Sequence, residues 1–208
     1  MSGRDSIGVA LALVLAFAIA WVIATRSAPL TYPTAGTNIV AFGDSLVFGV
    51  GTTKGNDFVS LLSARIGKPI INLGVSGNTV ADGLARIDDV LAEDPHVVIV
   101  LLGGNDTLRR VPVEQTFADL AQIIERLQSA GAGVVLVGAP GGLYGARYDK
   151  EYAALAKTYG VAYVPNILRG LLGKQEYMAD AIHPNNDGHR IMADRIEPAL
   201  RDMLAGGR

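Results

Sequence analysis

Five short runs rich in Val, Ile and Leu recur along the chain, at about 38–42, 70–73, 97–102, 134–138 and 161–164, each bounded by Gly, Pro or Asn. Amphipathic stretches separate them at about 57–66, 79–93, 113–130 and 146–159, and a last one covers 186–204. In Asp57–Ile66 and Thr116–Leu127 the apolar residues fall at i, i+3, i+4 and i+7, which gathers them on one helical face. Strands that are apolar on both faces must be covered on both, and strands that alternate with helices run parallel through right-handed crossovers. The alternation therefore predicts an α/β domain with a parallel sheet buried between helices. Gly67, Gly131 and Gly160 stand just past predicted helix ends, where a left-handed cap is wanted. With 208 residues, half of them apolar, the chain has material for one good-sized core.

The first 36 residues are of another kind. No charge occurs from Ser6 to Thr25, and Ile7–Ala24 is apolar apart from Gly8. As a helix this stretch spans roughly 27 Å, close to the hydrocarbon thickness of a bilayer. It is read as a membrane anchor or a signal segment over residues 1–26; the small residues around Val22-Ile23-Ala24 suit cleavage and Trp21 suits an interface. Arg4 and Arg26 flank it, so charge does not orient it. Residues 27–36, with Pro29, Pro33 and Gly36, read as a linker, and 37–208 as the folded domain.

Four loops that follow strands carry reactive residues. The strand Asn38–Phe42 runs into Gly43-Asp44-Ser45-Leu46, the second strand leads into Ser76-Gly77-Asn78-Thr79, the third ends in Gly103-Gly104-Asn105-Asp106, and Asp180-Ala181-Ile182-His183-Pro184 precedes the last helix. All would lie on one rim of the sheet, outside the carboxyl ends of the strands, where open α/β sheets bind ligands. Acyl transfer needs a nucleophile, a base, an anion to orient the base, and donors for an oxyanion. Ser45 is the candidate for the first and His183 for the second. Asp180, three residues before His183, is the candidate for the third, at a spacing that can fold it back to Nδ1 while Nε2 points toward Ser45. Pro184 suits the start of a helix there. Gly77, without a side chain, lets its N–H approach an oxyanion, and the Asn105 amide donates without carrying charge. His96, after Pro95 at the opposite end of its strand, reads as a surface residue, and His189 as a packed or solvated residue of the last helix. Asp106, Asp88, Asp89 and Asp94 read as caps or solvated charges.

Other chemistries find little footing. The chain has no cysteine, hence no disulfide, thiolate metal site or cysteine nucleophile, and three histidines do not make a zinc site. A net charge of −2 without any basic run gives no basis for a nucleic-acid partner. Gly74-Val75-Ser76-Gly77-Asn78 falls short of the Gly-x-Ser-x-Gly elbow, and Gly49-Val50-Gly51-Thr52-Thr53-Lys54-Gly55 misses the dinucleotide spacing.

Taken together, Gly43-Asp44-Ser45-Leu46, the Gly77 turn, Gly103-Gly104-Asn105-Asp106 and Asp180-x-x-His183-Pro184 resemble the four sequence blocks of the SGNH (GDSL) hydrolases, in order and over about residues 37–204. The nearest likeness is to the bacterial periplasmic branch with thioesterase, arylesterase and lysophospholipase activity. The resemblance implies a three-layer α/β/α, flavodoxin-like fold with a five-stranded parallel sheet. It also implies Ser45 as nucleophile, His183 as base, Asp180 as its partner, and an oxyanion hole from the Ser45 N–H, the Gly77 N–H and the Asn105 side chain. Tyr144-Gly145-x-Arg147-Tyr148 is similar to a loop that shapes the acyl site in that branch, and the preceding Gly141-Gly142 is expected to loosen that loop.

The expectation is thus a serine esterase or thioesterase that needs no cofactor or metal and acts as a monomer on a small-molecule or lipid ester. Leu108, Leu143, Tyr144 and Ile182 are the expected apolar wall for the acyl group. Residues 7–24 would hold it in the cell envelope, on the periplasmic or extracytoplasmic side, unless cleavage releases it. Two other readings stand beside this one: a carbohydrate O-acetyl esterase of the envelope, and a catalytically silent membrane-anchored binding protein.

Overall fold

The computed structural model describes residues 28–139 and 145–206. The apolar N-terminal stretch and the expected acyl-wall residues Leu143 and Tyr144 lie outside these. Among the described residues no helix is long and apolar enough to cross a membrane.

Five parallel strands, β1 (Asn38–Gly43), β2 (Ile70–Gly74), β3 (Pro95–Leu101), β4 (Gly133–Val137) and β5 (Ala162–Val164), form one sheet in the order β2-β1-β3-β4-β5. β1, β3 and β4 are internal, and nearly every residue in them is buried; the edge strand β2 is only half-buried. The chain leaves β1 in one direction to make β2 and then crosses to β3 on the other side. The crevice beyond the carboxyl ends of β1 and β3 is therefore the point where the winding reverses.

Among the described residues eight helices cover the sheet: α1 (Ser45–Phe48), α2 (Phe58–Ile66), α3 (Val80–Ala85), α4 (Ile87–Ala92), α5 (Gly104–Leu108), α6 (Val113–Ser129), α7 (Gly145–Tyr159) and α8 (Asn186–Ala205). α2 packs with α8, while α3 and α4 pack with α6, and α6 with α7. α6 shows why the pattern was legible: Phe117, Leu120, Ile123, Ile124 and Leu127 are its buried apolar residues, one stripe at helical spacing. Gly67, Gly131 and Gly160 adopt positive φ at the expected helix ends.

Three expectations need correction. The helix predicted over 79–93 is two helices, broken at Arg86, which caps the end of α3 and the start of α4. Pro184 does not start the last helix; Asn185 caps it by accepting from the Asp187 and Gly188 N–H groups, and α8 begins at Asn186. The segment read as a linker is, from Ala28 on, laid against the domain. The N–H groups of Ala28, Thr31 and Thr34 donate to the carbonyls of Lys157, Gly160 and Gly131, at 3.1, 2.6 and 2.8 Å. Leu30 and Tyr32 pack on the core.

His189 is packed, not solvated. It is fully buried in α8 beside Phe58, and its Nδ1 accepts from the Phe58 N–H at 3.1 Å. Burial holds the imidazole down at about 4, against an ordinary 6.5. As pH falls below 6.5 the unfolded chain takes up this proton and the folded chain does not. The contribution is thus fully present above 6.5 and is lost down to about pH 4. The stability difference between the parent and His189→Gln should shift by roughly 3 kcal/mol in the variant's favour between pH 7 and pH 4. Urea titrations at a series of pH values measure it; a difference independent of pH would refute the assignment.

Candidate active site

The site is built where β1 stops. A Cβ on Gly43 would come within 2.2 Å of the Leu101 carbonyl oxygen, so only glycine lets β1 end this close to β3. The next residue, Asp44, turns the chain: its carboxylate accepts from the Leu46 N–H at 3.0 Å and caps α1, of which Ser45 is the first residue. A residue in a helix's first turn keeps a backbone N–H without an intrahelical partner. Ser45 thus offers a hydroxyl and an N–H from one position. It is 8% exposed.

Facing it is the loop before α8, closed by an antiparallel bridge between Met178 and Pro184 and by the Ala179 N–H donating to the His183 carbonyl at 2.9 Å. Asp180 uses both carboxylate oxygens. Oδ1 accepts from the Ile182 and His183 N–H groups, each at 2.8 Å, and Oδ2 lies 2.7 Å from His183 Nδ1. The bond from His183, followed by those two backbone donors, holds the Asp180 carboxyl down at about 2. An ionised carboxylate can only accept, so Nδ1 carries the proton and Nε2 is left to accept. Nε2 stands 3.1 Å from the Ser45 hydroxyl.

The third part flanks the same crevice. Asn105, in α5 after β3, donates through Nδ2 to the Asn78 carbonyl at 3.0 Å and to Asp44 Oδ2 at 3.3 Å. Gly77 sits in the turn after β2, where the Asn78 N–H donates to the Val75 carbonyl at 3.2 Å, and its φ of +83° is a conformation that favours glycine. The turn is tied to the serine strand by the Val75 N–H, which donates to the Gly43 carbonyl at 3.0 Å. The fold therefore gathers Ser45, His183, Asp180, Asn105 and the Gly77 turn at one rim. Asp106 is a buried cap: it accepts from the Val80 N–H at 3.0 Å and from the Thr116 hydroxyl at 3.3 Å, fixing the start of α3. His96 lies at the opposite end of β3, 2.9 Å from the Ala35 carbonyl. Among the described residues no group of three His, Asp or Glu side chains is placed to hold a metal ion.

A cavity of about 120 Å³ opens beside Ser45 and His183, walled by Leu46, Thr107, Leu108, Leu168, Leu172 and Ile182. Leu108 and Ile182 are two of the four wall residues expected from sequence, the other two lying outside the described residues. Leu168 and Leu172 were missed because they follow β5 with no motif to mark them. Asp44 was also missed as a buried group: burial raises its carboxyl to about 6.

A family model described as GDSL-like lipase/acylhydrolase matches residues 41–191, most of the chain and all of the strands but the first residues of β1. The chain belongs to this family. Similar family members include the esterase TesA of Pseudomonas aeruginosa, 34% identical over 207 residues, 93% of this chain and 99% of the relative. The thioesterase 1/protease 1/lysophospholipase L1 of Escherichia coli K12 is 32% identical over 180 residues, 82% and 86% of the two chains. A crystal structure of TesA superposes with a TM-score of 0.75 at 34% identity, covering 81% of this chain and all of that one. The SGNH-hydrolase family esterase AlinE4 superposes at 0.64 and 34% identity, covering 81% and 97%. The chain is accordingly a serine hydrolase of the ester-cleaving kind.

Proposed function

We propose that this chain hydrolyses carboxylic esters or thioesters with apolar acyl groups through an acyl-Ser45 intermediate. The observation that carries this is the unbroken relay from Ser45 Oγ to His183 Nε2 at 3.1 Å and from Nδ1 to Asp180 at 2.7 Å. His183 removes the hydroxyl proton as Oγ bonds to the acyl carbon, then gives that proton to the leaving alcohol or thiol. Water, deprotonated by the same imidazole, next attacks the acyl carbon and releases the acid and the free serine. The Ser45 and Gly77 N–H groups stabilise the oxyanion in both halves, together with the Asn105 amide, whose longer 3.3 Å bond to Asp44 gives way to the oxyanion.

The apolar character of the substrate is supported by where the exposed hydrophobic side chains lie. Phe48, Val75, Leu108, Leu172 and Ile182 are the large hydrophobics left exposed among the described residues. Phe48 ends α1, Val75 follows β2, Leu108 ends α5, Leu172 follows β5 and Ile182 precedes His183, so each belongs to the carboxyl rim or to the loop that carries the histidine. Lipid-derived esters and thioesters, lysophospholipids among them, fit such a mouth. The names of the relatives, an esterase and a thioesterase/lysophospholipase, support the same class.

A panel of p-nitrophenyl esters and acyl thioesters from acetyl upward tests the reading. Turnover should rise from acetyl into the medium-chain acyl groups, and Leu108→Ala or Ile182→Ala should lower it for the longer chains more than for acetyl. A strict preference for acetyl would refute the lipid-ester assignment.

The uncharged stretch over residues 7–24 supports a place in the cell envelope on the extracytoplasmic side, anchored or released after cleavage. Recovery of the full chain in the cytosolic fraction alone would contradict it.

A further inference from the structure

The helix break at Arg86 has no counterpart in the amphipathic pattern, and the residue at the break reaches the floor of the site. Arg86 Nε donates to Asn78 Oδ1 at 2.6 Å, Nη2 donates to the Gly43 carbonyl at 2.9 Å, and the guanidinium lies 4.4 Å from the centre of the Phe42 ring. Each partner matters to the geometry described above. Gly43 is the last residue of β1, two before Ser45, and its carbonyl also accepts the Val75 N–H that starts the Gly77 turn. Asn78 follows Gly77, and its own carbonyl is the 3.0 Å acceptor for the Asn105 amide. One half-buried side chain thus bridges the nucleophile turn and the Gly77 turn directly, and reaches Asn105 through Asn78.

We propose that Arg86 is a positioning residue that holds the oxyanion donors in register with Ser45. The proposal rests on the acyl-serine reading above. Arg86 is not among the residues lining the cavity, so it acts through Asn78 and Gly43 rather than on substrate. Arg109 Nη2 also bonds this turn, donating to the Gly77 carbonyl at 2.8 Å, and that bond is exposed. The Asn78–Arg86 bond is the inward one. A tetrahedral intermediate is stabilised only by donors already at the right distance, and displacements of about 1 Å are enough to cost about a hundredfold. Arginine suits the post because its donors are fixed in one plane and its face stacks on Phe42. Lysine, with one rotatable ammonium, cannot bond Gly43 and Asn78 while covering the ring.

The experiment measures kcat and KM on a soluble aryl ester for the parent, Arg86→Met, Arg86→Lys, Asn105→Ala and the Arg86→Met/Asn105→Ala double variant, with circular dichroism and Tm for each. Arg86→Met is expected to lower kcat by about 10–100-fold with KM within about twofold, and Arg86→Lys to recover little of it. In the Asn105→Ala background the same substitution should cost clearly less than in the parent, because one of the donors it positions is gone while the Gly77 N–H remains. Should Arg86→Met not fold, Asn78→Ala breaks the same bond from the other end, and the same kcat loss is expected. Full kcat in Arg86→Met, a loss confined to KM, or an equal loss in both backgrounds would overturn the proposal. Failure of the underlying reading looks different: Ser45→Ala would then remain active and Asn105→Ala would cost nothing.

Discussion

Ser45→Ala is expected to lower kcat about a millionfold, His183→Ala by a similar factor, and the double variant by no more than either alone. The reason lies in the 3.1 Å contact between the two side chains. The hydroxyl is a poor nucleophile until its proton is taken, and the imidazole has no proton to take once the hydroxyl is gone, so the pair acts as one unit. What persists is the background from binding and the oxyanion donors. Steady-state kinetics on an aryl ester read the loss, and a fluorophosphonate probe reads the nucleophile directly: it should label the parent and leave Ser45→Ala unlabelled. Stability should hardly change, since the Ser45 hydroxyl makes a side-chain bond to His183 alone and packs at the surface end of the core. Labelling of Ser45→Ala at the parent's rate would place the nucleophile elsewhere.

Asp180→Asn is expected to lower kcat about ten-thousandfold while leaving the loop in place. The size follows from which atom of the new amide can go where. The Ile182 and His183 N–H groups both donate to Oδ1, so the amide oxygen must take that position. Its NH2 group then faces His183 Nδ1, which has to become the acceptor, and the ring proton moves to Nε2. An Nε2–H cannot receive the proton of Ser45. The native carboxylate, held at about 2, stays ionised over the whole working range, so the acid limb of the parent's pH–rate profile is not set by Asp180. Nuclear magnetic resonance of the imidazole nitrogens identifies the tautomer. Finding the Nδ1–H form in Asp180→Asn, or near-parental turnover, would contradict this account.

Much of the molecule was legible before any coordinates. Strand and helix periodicities are carried by residues two to four positions apart, and the sheet interior admits little but Val, Ile and Leu, so all five strands and the long helices α2, α6, α7 and α8 could be placed within a residue or two, whereas the short α1 and α5 and the break between α3 and α4 could not. The Gly43-Asp44-Ser45 turn and the Asp180–His183 loop are local as well. A glycine that ends a strand, an aspartate that caps the next turn and a carboxylate folded onto backbone N–H groups two and three residues on need no distant partner to be recognised.

What sequence could not settle is everything decided by residues far apart in the chain. A lone arginine in an amphipathic stretch looks like solvated surface; that Arg86 breaks its helix and bonds Gly43 depends on a strand more than forty positions earlier. The burial of Asp44 and His189, which moves their proton affinities in opposite directions, follows from what packs on them and not from their neighbours in sequence. Leu168 and Leu172 line the cavity beside Ser45 only because the chain after β5 returns across the rim. Local chemistry determined which residues could react, and long-range packing decided how far apart they stand and which protons they keep, because distance and desolvation are properties of the folded chain.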